Sequence, residues 1–95
     1  MDKLYEIVDD LNNKFGNDNP FKIMTRLAEE VGELAQQVNH HESQGMKTEK
    51  HGQPSKEKLA KEVQDVIRCA LQVSRHYGLE EIIESQINER VSQIQ

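Results

Sequence analysis

Apolar residues return every three or four positions through most of this chain, and no segment alternates in the two-residue rhythm of a strand. Leu4, Ile7, Val8, Leu11 and Phe15 predict a first helix from about Asp2 to Phe15, with Gly16 as its stop. Asn19 is a good N-cap and Pro20 a good first helical residue. They open a second helix to about His41, striped by Phe21, Met24, Leu27, Ala28, Val31, Leu34, Ala35 and Val38. Ser55 caps a third helix that reaches Tyr77 and stops at Gly78, with Leu59, Ala60, Val63, Val66, Ile67, Ala70, Leu71 and Val73 as its stripe. The fourth carries Leu79, Ile82, Ile83, Ile87, Val91 and Ile94, and the early Glu80, Glu81 and Glu84 suit the positive end of its dipole. The expectation is an all-α chain, one domain over residues 1–95, resembling a four-helix bundle around a central antiparallel helical hairpin.

The segment 42–55 joins the two central helices and holds Gly45, Gly52 and Pro54 with little apolar content. It is longer than most connections in compact domains, which marks it as functional or mobile.

Only 35% of the residues are hydrophobic and 4% aromatic, with no tryptophan, so the core must be thin. Small domains of this kind often complete their burial by association, and a homodimer or homotetramer is expected. The net charge of -5, without a basic run, argues against a nucleic-acid backbone as partner. It leaves room for a nucleotide, because a bound cation reverses the local field. Cys69 is the single cysteine, which excludes a disulfide within one chain and fits a reducing compartment. The opening MDKLYEIVDD has no apolar leader stretch, and no run approaches the roughly 18–20 apolar residues of a membrane span. A soluble, cytoplasmic protein is expected.

The chemistry-bearing feature is two carboxylate pairs. Glu30 and Glu33 lie in LAEEVGEL, and Glu62 and Asp65 in KEVQDVI. Each pair has i, i+3 spacing and so shares one helix face. On a wheel of 100° per residue, both pairs fall at the same margin of their helix's apolar stripe. If the two stripes pack in an antiparallel hairpin, the pairs converge at the seam and form an oxygen-only cage for a hard divalent cation. Spacing alone is equally compatible with solvated acids paired along their helices, Glu30 with Arg26 and Glu62 with Lys58. No Glu-x-x-His motif is present, so a di-iron bundle is not indicated, and carboxylate-only ligation favours Mg²⁺ or Mn²⁺.

The pattern EExxE followed by ExxD resembles the signature of the MazG-like all-α nucleoside triphosphate pyrophosphohydrolases. It is carried by Glu29, Glu30, Glu33, Glu62 and Asp65, within the words LAEEVGELAQQV and KEKLAKEVQDVI, a PF opening and a YGLEE turn. The likeness runs from about Pro20 to Glu84. It implies Mg²⁺ held by Glu30, Glu33, Glu62 and Asp65, and Glu29 as a water-orienting catalytic carboxylate. It implies hydrolysis of an NTP or dNTP to the monophosphate and pyrophosphate, in the manner of enzymes that clear non-canonical nucleotides. Phosphoribosyl-ATP pyrophosphatases and dimeric dUTPases share such a cage, so the motif defines a superfamily more sharply than a substrate. A non-catalytic helical interaction module is the reading from another class.

By the same likeness, Lys58, one turn before Glu62, is a phosphate contact or else a surface partner of that glutamate. Gln86 stands where the family would have a lysine, leaving Asn88 and Arg90 as candidate substrate-binding residues. His40, His41 and His51, with Lys47 and Lys50, give the long connection a switchable positive character, suited to a triphosphate tail or simply to solvent. Phe15 and Phe21 fit helix stripes and are expected in the core, whereas Tyr77 is an aromatic candidate for a base. Cys69 is read as a small buried residue.

Overall fold

The computed structural model describes residues 1–17, 19–43 and 52–95, which form four helices and no strand. These are α1 (Asp2–Phe15), α2 (Pro20–Glu42), α3 (Lys56–Tyr77) and α4 (Glu80–Ile94). The ends follow from local chemistry. Gly16, at φ 83°, turns the chain out of α1 in a conformation that disfavours a side chain. The Asn19 side chain accepts from the Lys22 amide at 2.9 Å, and Pro20 needs no donor in the first turn of α2. Ser55 Oγ accepts from the Lys58 amide at 3.2 Å and opens α3. Gly78 closes α3 in the left-handed region, and Leu79 N–H donates back to Ser74 O at 2.9 Å.

α2 and α3 form the expected antiparallel hairpin and share the most extensive helix–helix contact. Partners run in opposite directions along them: His41 meets Ser55, and Glu30 meets Glu62 and Asp65. At the open end of the hairpin, His40 Nε2 lies 2.7 Å from Gly52 O and His41 Nε2 lies 3.2 Å from Ser55 O. Both imidazoles therefore bond the backbone that leads into α3. Lys47, Lys50, His51 and most of the 42–55 connection lie outside the described residues.

α1 packs on the C-terminal half of α3. Tyr5, Val8 and Leu71 are buried there, with Leu4 and Ile67 against them. A polar latch fixes the register. The Tyr5 and Ser74 hydroxyls are 2.9 Å apart in the buried interface. The Arg75 guanidinium donates two bonds to Asp9, at 3.0 and 3.1 Å, and also bonds Glu80. The same group sits 4.3 Å from the centroid of the Tyr5 ring.

The chain does not close into a packed four-helix bundle. α4 has at most marginal contact with the other helices, and its Ile82, Ile87, Val91 and Ile94 are exposed. The radius of gyration is 16.4 Å, against about 12 Å for a compact domain of this length. The expectation that Phe15 and Phe21 are core residues is also corrected, since they are 74% and 84% exposed. Both sit at helix ends, beyond the stretch that a neighbouring helix covers. Cys69 is fully buried, as expected.

The α1–α3 core is small enough that single truncations register strongly. Leu71→Ala is expected to cost about 2–5 kcal/mol in chemical denaturation. Tyr5→Phe, which leaves the buried Ser74 hydroxyl without its partner, is expected to cost about 1–3 kcal/mol.

Candidate metal centre

The hairpin carries acids from two helices to one point. Glu30 from α2 and Glu62 and Asp65 from α3 each offer a carboxylate oxygen, and the three oxygens lie within 4.8 Å of one another. All three residues are half-buried. The arrangement follows from the stripes. Leu27 and Leu34 on α2 and Val66 on α3 are partly buried members of the two stripes, and the acids stand at the stripe margins.

Electrostatics at this point are unfavourable for the bare protein. Burial, then the charges of Glu33, Asp65 and Glu62, and last a carboxyl-to-carboxyl hydrogen bond with Glu62 that favours a shared proton, push the Glu30 carboxyl above its ordinary range. Glu30 Oε2 and Glu62 Oε2 are buried without a hydrogen-bond partner. Carboxylate oxygens in that condition lack the donors that normally offset burial. Asp65 is different. It accepts from Lys61 at 2.9 Å and has Arg68 at 3.8 Å, so its charge is partly met by its own helix.

The donor set fits a hard divalent cation. It is all oxygen and strongly anionic, and two of its oxygens have no other partner. A hard divalent cation prefers such carboxylate oxygens, and the charge it would supply offsets their mutual repulsion. Glu30, Glu62 and Asp65 would hold it. Glu33, one turn along α2, is exposed and outside the three-residue cluster, yet close enough for its charge to act on Glu30.

The other anticipated residues are dispersed. Glu29 is exposed and lines a separate open cleft with Phe21, Lys22, Thr25 and Arg26. Lys58 is exposed in the first turn of α3. Asn88 and Arg90 are exposed on α4, and with α4 unpacked a single chain does not bring them to the acids. Tyr77 is 58% exposed at the far end of α3.

Asn12, Arg68 and Gln72, beside the cluster, were not singled out in the sequence. A cleft of about 410 Å³ is lined by Leu11, Asn12, Phe15, Arg26, Arg68 and Gln72, among others. Arg26 lies four residues before Glu30 and Arg68 three after Asp65, so the cleft begins about one helical turn along the seam from the acids. The spacing of Arg68 from Asp65 was the available signal. Asn12 comes from α1, whose docking no local pattern specifies. Compared with known proteins, the chain matches no family model, no curated protein and no solved structure.

The raised Glu30 carboxyl gives a pH-dependent expectation. A carboxyl raised in the folded state favours the fold when protonated, and that contribution is lost as pH rises through its folded value. Glu30→Gln should therefore raise the melting temperature of the metal-free protein at pH 7, and the gain should vanish near about pH 4, where the native carboxyl is itself protonated. Asp65→Asn should bring no such gain, because it also breaks the contacts to Lys61 and Arg68. Melting curves of the variants at the two pH values check both statements.

Proposed function

We propose that this chain is a Mg²⁺-dependent nucleotide pyrophosphohydrolase of the MazG-like kind, converting an NTP or dNTP to its monophosphate and pyrophosphate, with Mn²⁺ as an alternative ion. The observation that carries the reading is the pair of buried, unpartnered oxygens on Glu30 and Glu62, facing each other across the hairpin at the positions the EExxE and ExxD motifs designate.

Glu30, Glu62 and Asp65 would hold the ion, with Glu33 completing the set by rotation from the next turn. When bound, a divalent cation neutralises phosphate oxygens and lowers the pKa of a coordinated water. The chain's own groups do the rest. Glu29, next to Glu30 in the EExxE motif, is the carboxylate that the family resemblance assigns to orienting a water and accepting its proton. Arg68 beside Asp65 and Lys58 one turn before Glu62 supply positive charge along the path of a polyphosphate. Water adds across the α–β phosphoanhydride, so one product keeps the nucleoside and the other leaves as pyrophosphate.

Assembly belongs to the same reading. The apolar residues of α4 have no cover within one chain, and Asn88 and Arg90 on that helix are not brought to the acids of their own chain. A homodimer or homotetramer serves both needs. No described helix is long and apolar enough to cross a membrane.

A panel of canonical and modified NTPs and dNTPs, assayed for pyrophosphate release with Mg²⁺, tests the activity. At least one should turn over, and Glu62→Gln should reduce that rate by more than about 100-fold. A panel with no release, or a variant that keeps the wild-type rate, would contradict the reading. Light scattering should give a multiple of the 11.0 kDa chain mass, and Ile87→Glu should shift the protein toward monomer. Exposed apolar faces on α4 also suit a non-catalytic interaction module. That alternative predicts no pyrophosphate release with any of these substrates.

A further inference from the structure

The hairpin carries a second apolar stripe on the side away from the acids. Met24, Ala28, Val31, Ala35 and Val38 recur at intervals of three and four along α2, and all five are exposed. On a wheel of 100° per residue, Val31 stands about 160° from Glu33, and on α3 Val63 stands about 160° from Asp65. Both valines therefore belong to the face of the hairpin opposite the acidic margin, and they are 48% and 41% exposed. Val63 also lines an almost wholly apolar hollow of about 570 Å³, with His41 from α2 and Lys56, Leu59 and Ala60 from α3. The two helices thus border an open apolar groove.

α4 is the complementary piece. Ile83, Ile87, Val91 and Ile94 share one of its faces, and the last three are exposed. Its 15 residues make a rod of about 22 Å, and Met24 to Val38 extends about 21 Å along α2. Its charge also suits the groove. Glu80, Glu81, Glu84 and Glu89 outweigh Arg90 on α4, whereas Lys56 stands at the hollow. The first turn of α4 is tied to the far end of the hairpin. Arg75, held by Asp9 of α1, bonds Glu80, and the Leu79 N–H donates to Ser74 O. From that anchor α4 has at most marginal contact with the helices of its own chain.

We propose that the groove between α2 and α3 receives α4 of a second copy of this chain, each copy giving its α4 to the other about a two-fold axis. This rests on the assembly reading above and names the surface that receives the helix; it does not depend on hydrolysis. A rod about 22 Å long and 10 Å across turns about 350 Å² toward a groove. Covered on helix and groove alike, and twice by the two-fold, about 1,400 Å² leaves water, inside the range of about 1,200–2,000 Å² for stable interfaces.

The test is a mixing experiment on the full chain, followed by light scattering and native mass spectrometry. The wild type should give twice the 11.0 kDa chain mass or a higher multiple. Val31→Glu and Ile87→Glu should each weaken association by more than about tenfold, because each puts a carboxylate without a partner into an apolar contact. An equimolar mixture should recover a heterodimer. The Ile87→Glu chain keeps an intact groove and the Val31→Glu chain an intact α4, so one of the two exchanges is restored. Both positions are exposed within one chain, so helical circular dichroism should be unchanged; if it is lost, Val38→Lys and Val91→Lys replace the pair. A wild-type dimer broken by Val31→Glu but not by Ile87→Glu would mean hairpin packed on hairpin and overturns the inference. So does a dimer indifferent to Val31→Glu, or a mixture that stays monomeric, and both of these leave assembly itself standing. A monomeric wild type removes the inference and the assembly reading together. Pyrophosphate release judges the hydrolase reading on its own.

Discussion

The packing of α2 against α3 is the interaction on which the rest depends. It is an apolar seam, and hydrophobic burial has no direction of its own. The margin of the seam nevertheless fixes where the acids go. Helical geometry sets Glu62 and Asp65 one turn apart on one strip, and the antiparallel register sets Glu30 opposite them. The fold thereby places like charges together at an electrostatic cost, visible in the raised Glu30 carboxyl and in the oxygens without donors. Such a cost is common where polar groups are arranged for a ligand rather than for the fold itself.

The remainder of the chain steadies this hairpin. α1 braces the C-terminal half of α3 through a small apolar core and through the Arg75 latch, which joins Asp9, Tyr5 and Glu80. That end of α3 also carries Gln72, so the brace holds the cleft wall in register with the acids. α4 leaves the Gly78 turn with its apolar face uncovered. The stable part of one chain is thus a three-helix body with a projecting fourth helix, a shape that association would complete.

Helix boundaries were largely legible because they are written in single residues. Asn19, Pro20, Ser55, Gly16 and Gly78 act within one turn, and their effects do not wait on tertiary structure. The convergence of Glu30 with Glu62 and Asp65 was also legible, because two periodicities at one phase imply one seam. Phe15, Phe21 and the α4 stripe were not. Periodicity says which face of a helix is apolar, but not whether a neighbour arrives to cover it. Gln72 escaped notice for a related reason. On a helical wheel it reads as a polar margin, and only the docking of α1 turns that margin into a buried wall. Asp65 looked equivalent to Glu62 in sequence, while Lys61 and Arg68 make it the better compensated of the two.

The most direct measurement of the central claim is Mn²⁺ titration followed by the loss of the free-ion electron paramagnetic resonance signal. The account predicts saturable binding by the wild-type protein, displacement of Mn²⁺ by excess Mg²⁺, and loss of the site in Glu30→Gln and Glu62→Gln. Binding curves for these variants that superimpose on the wild type, or no saturable binding at millimolar Mn²⁺, would contradict it.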